Sequence, residues 1–217
     1  MELISRLIAL ILFLFLSPLL FIISILSVLS HGRPIIFKQN RVGYKNINFK
    51  IYKFRTMVEN SGSLLTRKND IRVTTFGKFL RKTKLDEIPQ LLNILKGDMR
   101  FIGPRPEVTE FTEKADFSFL SKIKPGISDY SSIIFRDESK ILGSTNNDYD
   151  SLLQIKVQLA HFYSNKKNFF LDLRLVFITI LSVFFSNNNF IKNMILSDLK
   201  NIDKKTRRDI ETIMSLN

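Results

Sequence analysis

The stretch LIALILFLFLSPLLFIISILSVL, residues 7–29, contains no charged side chain and carries the pair Ser17-Pro18 at its middle. Roughly 20 apolar residues in helix cross a bilayer, so length by itself predicts a spanning segment. Pro18 works against that. It has no N–H to donate, its ring clashes with the carbonyl four residues back, and it biases Ser17 away from helical backbone. Each half then reaches about 15 Å, half the hydrocarbon thickness. A helix–break–helix that enters the membrane and turns back on the same face fits these lengths, with the Ser17 hydroxyl satisfying a freed carbonyl at the bend. A mildly kinked spanning helix and a cleaved signal segment with Arg6 at its basic end compete with it. The run is too long for the second, whose apolar region takes about 7–15 residues.

The chain has 217 residues, so the remainder after this segment has room for one domain with its own core. It has no cysteine, which excludes disulfides and thiolate catalysis, and only two histidines, His31 and His161. A histidine-rich metal site or a Ser-His triad is therefore not expected. Thirty-three Lys and Arg against 20 Asp and Glu give a net charge of +13, a bias toward anionic partners. Nucleic acid would call for aromatic residues interleaved with a basic patch. The 20 phenylalanines lie largely in apolar segments instead, so no nucleic-acid partner is expected. A second apolar block, residues 175–185, is too short to span and reads as an interfacial or core-packed helix. Beyond Ser186 the composition turns to Asn, Lys and Asp, the mark of a polar helical appendage. The expected organisation is a membrane segment at 1–30, a catalytic domain at 31–186 and the appendage at 187–217.

Residues 35–56 suit a β-hairpin around a turn containing Gly43 and Asn46. In its second strand the period of two groups Ile47, Phe49 and Ile51, and continuing it adds Lys53 and Arg55 to that face. Two cations extending an apolar face point to something anionic at the edge of the core. Asp70-Ile71-Arg72-Val73-Thr74 reads as another short extended piece. A basic stretch from Thr75 to Lys84 leads into Leu85-Asp86-Glu87-Ile88-Pro89-Gln90. Asp86 is a plausible N-cap there, with Glu87 in the first helical turn. Yet Arg81, Lys82 and Lys84 precede the acidic pair, and Arg100 and Arg105 come after it. Such surroundings favour ionised carboxylates and suit a pyrophosphate with a divalent metal. Two prolines and a glycine in Gly103-Pro104-Arg105-Pro106-Glu107 make a rigid loop, a good mount for a guanidinium that holds phosphate bidentately.

Taken in order, these pieces resemble the bacterial sugar transferases, or monotopic phosphoglycosyl transferases. The resemblance is carried by Ser17-Pro18, Arg33-Pro34, Gln39-Asn40-Arg41-Val42-Gly43, Lys53-Phe54-Arg55-Thr56-Met57 and Asp70-Ile71-Arg72-Val73-Thr74. Gly77-Lys78-Phe79-Leu80-Arg81, Leu85-Asp86-Glu87-Ile88-Pro89-Gln90-Leu91, Gly97-Asp98-Met99, Gly103-Pro104-Arg105-Pro106-Glu107 and Lys124-Pro125-Gly126-Ile127 complete it. It implies an α+β fold: a re-entrant membrane helix broken at Ser17-Pro18, plus a small mixed helical and β-hairpin cytoplasmic domain with interfacial amphipathic helices. It also implies a reaction, transfer of a sugar 1-phosphate from a UDP-sugar to undecaprenyl (polyprenyl) phosphate, giving a polyprenyl-diphosphate sugar and UMP. That step begins capsule, O-antigen, exopolysaccharide or glycoprotein glycan assembly at the cytoplasmic face of the bacterial inner membrane.

On this resemblance Asp86 is the nucleophile of a ping-pong mechanism with a covalent aspartyl-phosphosugar. An ordinary aspartate is already ionised at neutral pH and needs no separate base. Glu87 is the ligand for Mg²⁺ (or Mn²⁺), and Arg81, Arg105, Lys53, Arg55, Arg72 and Arg100 bind phosphate. The expected partners are UDP-sugar, undecaprenyl phosphate and inner-membrane lipids, with self-association or docking to other glycan-assembly enzymes left open. The alternative is an inactive membrane-anchored scaffold of such a pathway. The chain reads as the minimal form of the family. It departs from the pattern after Ser128, where Asp129-Tyr130-Ser131-Ser132 replaces the glycine and small apolar run of many relatives, so sugar choice does not carry over.

Overall fold

The computed structural model describes residues 2–58, 66, 70–136, 138, 141–142, 149–185 and 188–216. Helices α1 (Glu2–Phe15) and α2 (Ser17–His31) meet at an angle of 59°. Pro18 cannot bond to the Leu14 carbonyl, and the Ser17 hydroxyl donates to that same carbonyl at 2.7 Å, so the bend leaves no orphaned acceptor there. No single helix among the described residues is long and apolar enough to cross a membrane. The bent pair presents Leu3, Leu7, Leu14, Phe15, Phe21 and Leu29 outward.

Strands β1 (Ile36–Val42) and β2 (Asn48–Phe54) form the expected antiparallel hairpin, in register from Ile36↔Phe54 to Val42↔Asn48. Lys45 and Asn46 adopt positive φ in the turn. Phe49 and Ile51 pack against Ala9 of α1 and Leu91 and Ile94 of α4 (Leu91–Lys96), which ties the hairpin to the apolar pair. Ile47, expected on that face, lies in the turn and is exposed. Asp70–Thr74 is not a strand. It is a turn with one bridge, Met57↔Val73, because Asp70 accepts from the backbone N–H of Arg72 and closes the chain on itself. Thr74 then caps α3 (Thr75–Thr83) by accepting from the Gly77 N–H at 2.9 Å.

Strand β3 (Arg100–Ile102) pairs in parallel with β4 (Gly126–Ser128) across the short helix α5 (Thr109–Thr112). A Cβ on Gly126 would come within 2.2 Å of the Gly103 nitrogen, so this crossing requires glycine. The main core lies beyond it, among α6 (Tyr130–Ile134), α7 (Tyr149–Lys166) and α8 (Phe169–Phe184). Helix α8 contains the second apolar block. Leu175 and Ile178 face the core, while Phe170, Leu173, Phe177 and Phe184 face outward, so it is core-packed on one side and apolar on the exposed side. The last two helices, α9 (Asn189–Asp198) and α10 (Lys204–Leu216), place Ile191, Ile195, Leu199, Ile210 and Ile213 in that same core. The boundary expected at 186/187 falls outside the described residues.

Candidate active site

The acidic pair sits in a short 3₁₀ turn, Leu85–Gln90, directly after α3. Lys84 takes a left-handed conformation (φ 58°, ψ 15°) and caps α3 with its own N–H, which reverses the chain. Pro89 cannot donate to Leu85, which keeps the turn from becoming an α-helix. Leu85 packs beside Phe54 and Leu80, and Ile88 beside Ile51 and Leu91. Two apolar anchors three residues apart thus hold Asp86 and Glu87 between two hydrophobic clusters. Asp86 is not a helix cap. It is 8% exposed and its Oδ1 has no hydrogen-bond partner among the described residues.

Glu87 has the opposite surroundings. Its Oε1 accepts from Lys53 Nζ at 2.7 Å and from Arg105 Nη2 at 2.9 Å. Lys53 continues the Phe49–Ile51 face of β2 as the period of two predicts. Arg105 comes from the proline loop, which is stitched on several sides. The Gly126 N–H donates to Pro104 O, the Val42 N–H to Glu107 O, and the Arg105 N–H to Asp129 Oδ2 at 3.3 Å. A guanidinium on a loop held this way has little freedom to leave Glu87.

These contacts split the two carboxylates. Burial, and then the neighbouring Glu87, push Asp86 above the ordinary aspartate range, although Lys53, Lys84 and Arg81 oppose the shift. Asp86 therefore departs from the expectation of an ordinary, freely ionised aspartate. For Glu87 burial also works against the charge, but Arg105, Lys53 and Lys84 outweigh it and hold the group well below the usual range. Arg105 is raised by Glu87. Lys53 is lowered by burial and by Arg105 even as Glu87 pulls it up. The 2.7 Å contact to an ionised Glu87 keeps the ammonium form favoured.

Of the predicted phosphate-binding residues, Lys53, Arg105 and Arg81 gather here. Arg81 donates from Nε to Thr56 Oγ1 at 2.8 Å and acts electrostatically on Asp86. Its helix can approach Thr56 only because residue 77 is glycine: a Cβ would lie 2.0 Å from the Thr56 carbonyl. The other three are placed elsewhere. Arg55 lies past the strand end and donates to the His31 and Gly32 carbonyls at the end of α2. Arg72 forks onto Asp70, at 2.9 and 2.6 Å for its closest bonds, and pulls that carboxyl down to about 2. Arg100 lies beside Glu2, Arg6 and Lys124. Two contributors are not among the predicted site residues. Lys84, read from the sequence only as part of the cationic surroundings, acts on both carboxylates, and Thr56 anchors Arg81.

No group of three or more His, Asp or Glu suited to a metal occurs among the described residues. Mg²⁺ does not need one, since it is commonly held by one or two carboxylates, substrate phosphate oxygens and waters. Glu87 is ionised, and among the described residues only its Oε1 carries hydrogen bonds. With the unpartnered Asp86 oxygen alongside, this donor set fits a hard divalent cation.

A family model for bacterial sugar transferases matches residues 1–186. The chain is 36% identical to a UDP-N-acetylgalactosamine-undecaprenyl-phosphate N-acetylgalactosaminephosphotransferase of Aeromonas hydrophila, covering 84% of this chain and 42% of that protein. It is 33% identical to a UDP-glucose:undecaprenyl-phosphate glucose-1-phosphate transferase of Klebsiella pneumoniae, covering 80% and 38%. To the exopolysaccharide production protein ExoY of Rhizobium meliloti it is 34% identical, covering 80% of each. The chain thus spans about two fifths of the first two relatives and four fifths of the third. With the family model covering most of its length, the chain belongs to the bacterial sugar transferase family.

Proposed function

We propose that this protein transfers a sugar 1-phosphate from a UDP-sugar to undecaprenyl phosphate, releasing UMP, by way of an aspartyl-phosphosugar on Asp86. The observation that carries the reading is the asymmetry of the pair: Asp86 buried with an unpartnered oxygen, beside a Glu87 clamped by Lys53 and Arg105. The donor and acceptor named for the Aeromonas and Klebsiella relatives support the substrate classes. Helices α1 and α2 enter the cytoplasmic face of the membrane as a re-entrant pair. The 59° bend and the outward apolar residues of both halves support that placement.

Asp86 attacks the sugar-bearing phosphorus, and the bond from that phosphorus to the bridging oxygen breaks. UMP departs with the bridging oxygen and its electron pair. An oxygen of the lipid phosphate then attacks the same phosphorus and returns Asp86 as a carboxylate. A carboxylate above the ordinary aspartate range is the better nucleophile while it stays ionised. Arg81 and Arg105 face the transferred and leaving phosphates, and Lys53 holds Glu87 ionised and in place. Glu87 is the residue that would hold Mg²⁺ (or Mn²⁺). When bound, the ion supplies Lewis-acid neutralisation of diphosphate charge.

The test is to give the purified enzyme UDP-sugars without lipid acceptor. At most one UMP per site should be released, with intact mass increased by a phosphosugar that maps to residues 85–90. Asp86→Asn should give neither. Release of UMP only after lipid arrives, with no adduct, would replace the covalent route by direct attack of the lipid phosphate. Excess EDTA should stop turnover and Mg²⁺ restore it. Undiminished rates in EDTA would remove the metal from the reading.

A further inference from the structure

A second charged centre lies away from the carboxylate pair, and no hydrogen bond or ion pair joins the two among the described residues. Three cations from separate parts of the chain line it: Arg6 from α1, Arg100 from β3 and Lys124 from just before β4. A fourth, Lys167 from the joint between α7 and α8, is within electrostatic reach of Arg100 and Glu2. Arg6 lies against Gly97, where a Cβ would come within 2.1 Å of its Nη2, so a side chain at 97 would displace the guanidinium. Glu2, Arg6, Gly97, Arg100 and Lys124 line one small cleft.

The anions present do not balance these charges. Glu2 pairs with Lys124 at 2.9 Å and also feels Arg6 and Arg100. Asp172 accepts from the Tyr163 hydroxyl at 2.6 Å. Arg6 and Arg100 have no side-chain hydrogen bond or ion pair among the described residues, which leaves two five-donor guanidiniums unused. Lys167 is held below the usual lysine range, by burial first and then by repulsion from Arg100. This is a centre with positive charge to spare.

Its position identifies the ligand class. The outward apolar residues of α1 begin at Leu3 and Ile4, and those of α8 begin at Phe169 and Phe170, just past Lys167 and the capping Asn168. The cations therefore stand at the polar head of two exposed apolar helices. Free phosphate would meet the charge but leave both apolar faces without a partner. A lipid meets both.

We propose that Arg6, Arg100, Lys124 and Lys167 form a site for the phosphate of an anionic phospholipid headgroup, its acyl chains lying along the outer faces of α1 and α8. The site is additional to the transferase reading and does not depend on it.

The experiment is thermal unfolding of the full chain in detergent, titrated with phosphatidylglycerol, phosphatidylcholine or inorganic phosphate. Phosphatidylglycerol should raise Tm saturably, and the other two should not do so at equal concentration. Arg6→Gln/Lys167→Gln, which spares the Lys124–Glu2 pair and strand β3, should weaken the apparent Kd for phosphatidylglycerol at least tenfold. If that variant does not fold, Arg6→Gln alone, at an exposed position, should show less phosphatidylglycerol retained in native mass spectrometry. Equal shifts with phosphatidylcholine would overturn the proposal in favour of unspecific apolar binding. Equal shifts with inorganic phosphate would make this a free-anion site. Unchanged phosphatidylglycerol binding in the variants would remove these residues from any lipid site.

Discussion

Arg105 and Glu107 leave the same rigid loop two residues apart and enter two clusters of different charge balance. Behind the loop, Glu107 pairs with Arg41 at 2.9 Å and Lys156 at 3.6 Å, and Lys156 in turn reaches Glu138 at 2.6 Å. Each charge in that knot has an opposite neighbour, although Arg41 Nε has no hydrogen-bond partner among the described residues. Burial alone would lower Lys156, yet Glu107 and Glu138 hold it above the usual lysine range. In front of the loop, Glu87 is matched by two cations, but Asp86 is buried with an oxygen that no described residue satisfies. A charge-balanced buried network fixes a backbone. A buried carboxylate in no ion pair among the described residues, kept despite the cost of an unpaired polar atom of about 1–3 kcal/mol, marks where a ligand belongs.

The contrast between the clusters is tested most severely at Asp86. Asp86→Asn should lower kcat at least about a thousandfold, about 4 kcal/mol of barrier, because an amide is a very poor nucleophile. The same change should leave Tm equal or higher, since it removes an uncompensated buried charge. A variant that loses both activity and stability would place Asp86 in the scaffold instead.

Lys156→Met should do the reverse. Removing one partner of a buried ion pair costs about 3–5 kcal/mol, and here the lower end applies because Glu107 keeps Arg41. Urea unfolding in detergent reads this directly. A loss under about 1 kcal/mol would mean the knot behind the loop is not what holds it.

Arg105→Lys should be milder for stability and still costly for turnover. A point charge can keep Glu87 company but cannot replace a planar fork on phosphate, so kcat/KM should fall about 10- to 100-fold, roughly 1.4–2.7 kcal/mol. Wild-type kinetics would make Arg105 a turn residue with a structural ion pair.

The smallest effect is a pH dependence of opposite sign at adjacent residues. Asp86 has a folded pKa above its ordinary 3.8, so its contribution to stability is full below that value and lost as pH rises through the folded pKa. Glu87 has a folded pKa below its ordinary 4.5, so its contribution is present above 4.5 and lost as pH falls through the folded value. The Tm advantage of Asp86→Asn should therefore appear at neutral pH and vanish below about pH 3.8. The acid limb of kcat/KM should likewise lie above 3.8, and a limb at or below it would contradict the upward shift of Asp86.

What residues do within a few positions of themselves was legible in the sequence. Pro18 lacks an N–H and Ser17 supplies a hydroxyl, so the bend and its repair at Leu14 come from helix hydrogen bonding over four residues. The period of two along β2 delivers Lys53 to the site face in the same local way. Tertiary structure decided what those local rules cannot reach. In the sequence Arg55, Arg72 and Arg100 read with Lys53, Arg81 and Arg105 as one phosphate-binding set, yet the fold sends them elsewhere: Arg55 to helix-end carbonyls, Arg72 to Asp70 and Arg100 to the cleft beside Glu2. Composition after Ser186 reads as a polar helical appendage because its apolar residues are sparse, but their spacing puts Ile191, Ile195 and Leu199 on one buried stripe. The division of labour between Asp86 and Glu87 is also tertiary. One peptide bond separates them, yet burial and its acidic neighbour push Asp86 up, while cations from β2 and from the loop after β3, as far as 34 residues away in the chain, hold Glu87 down.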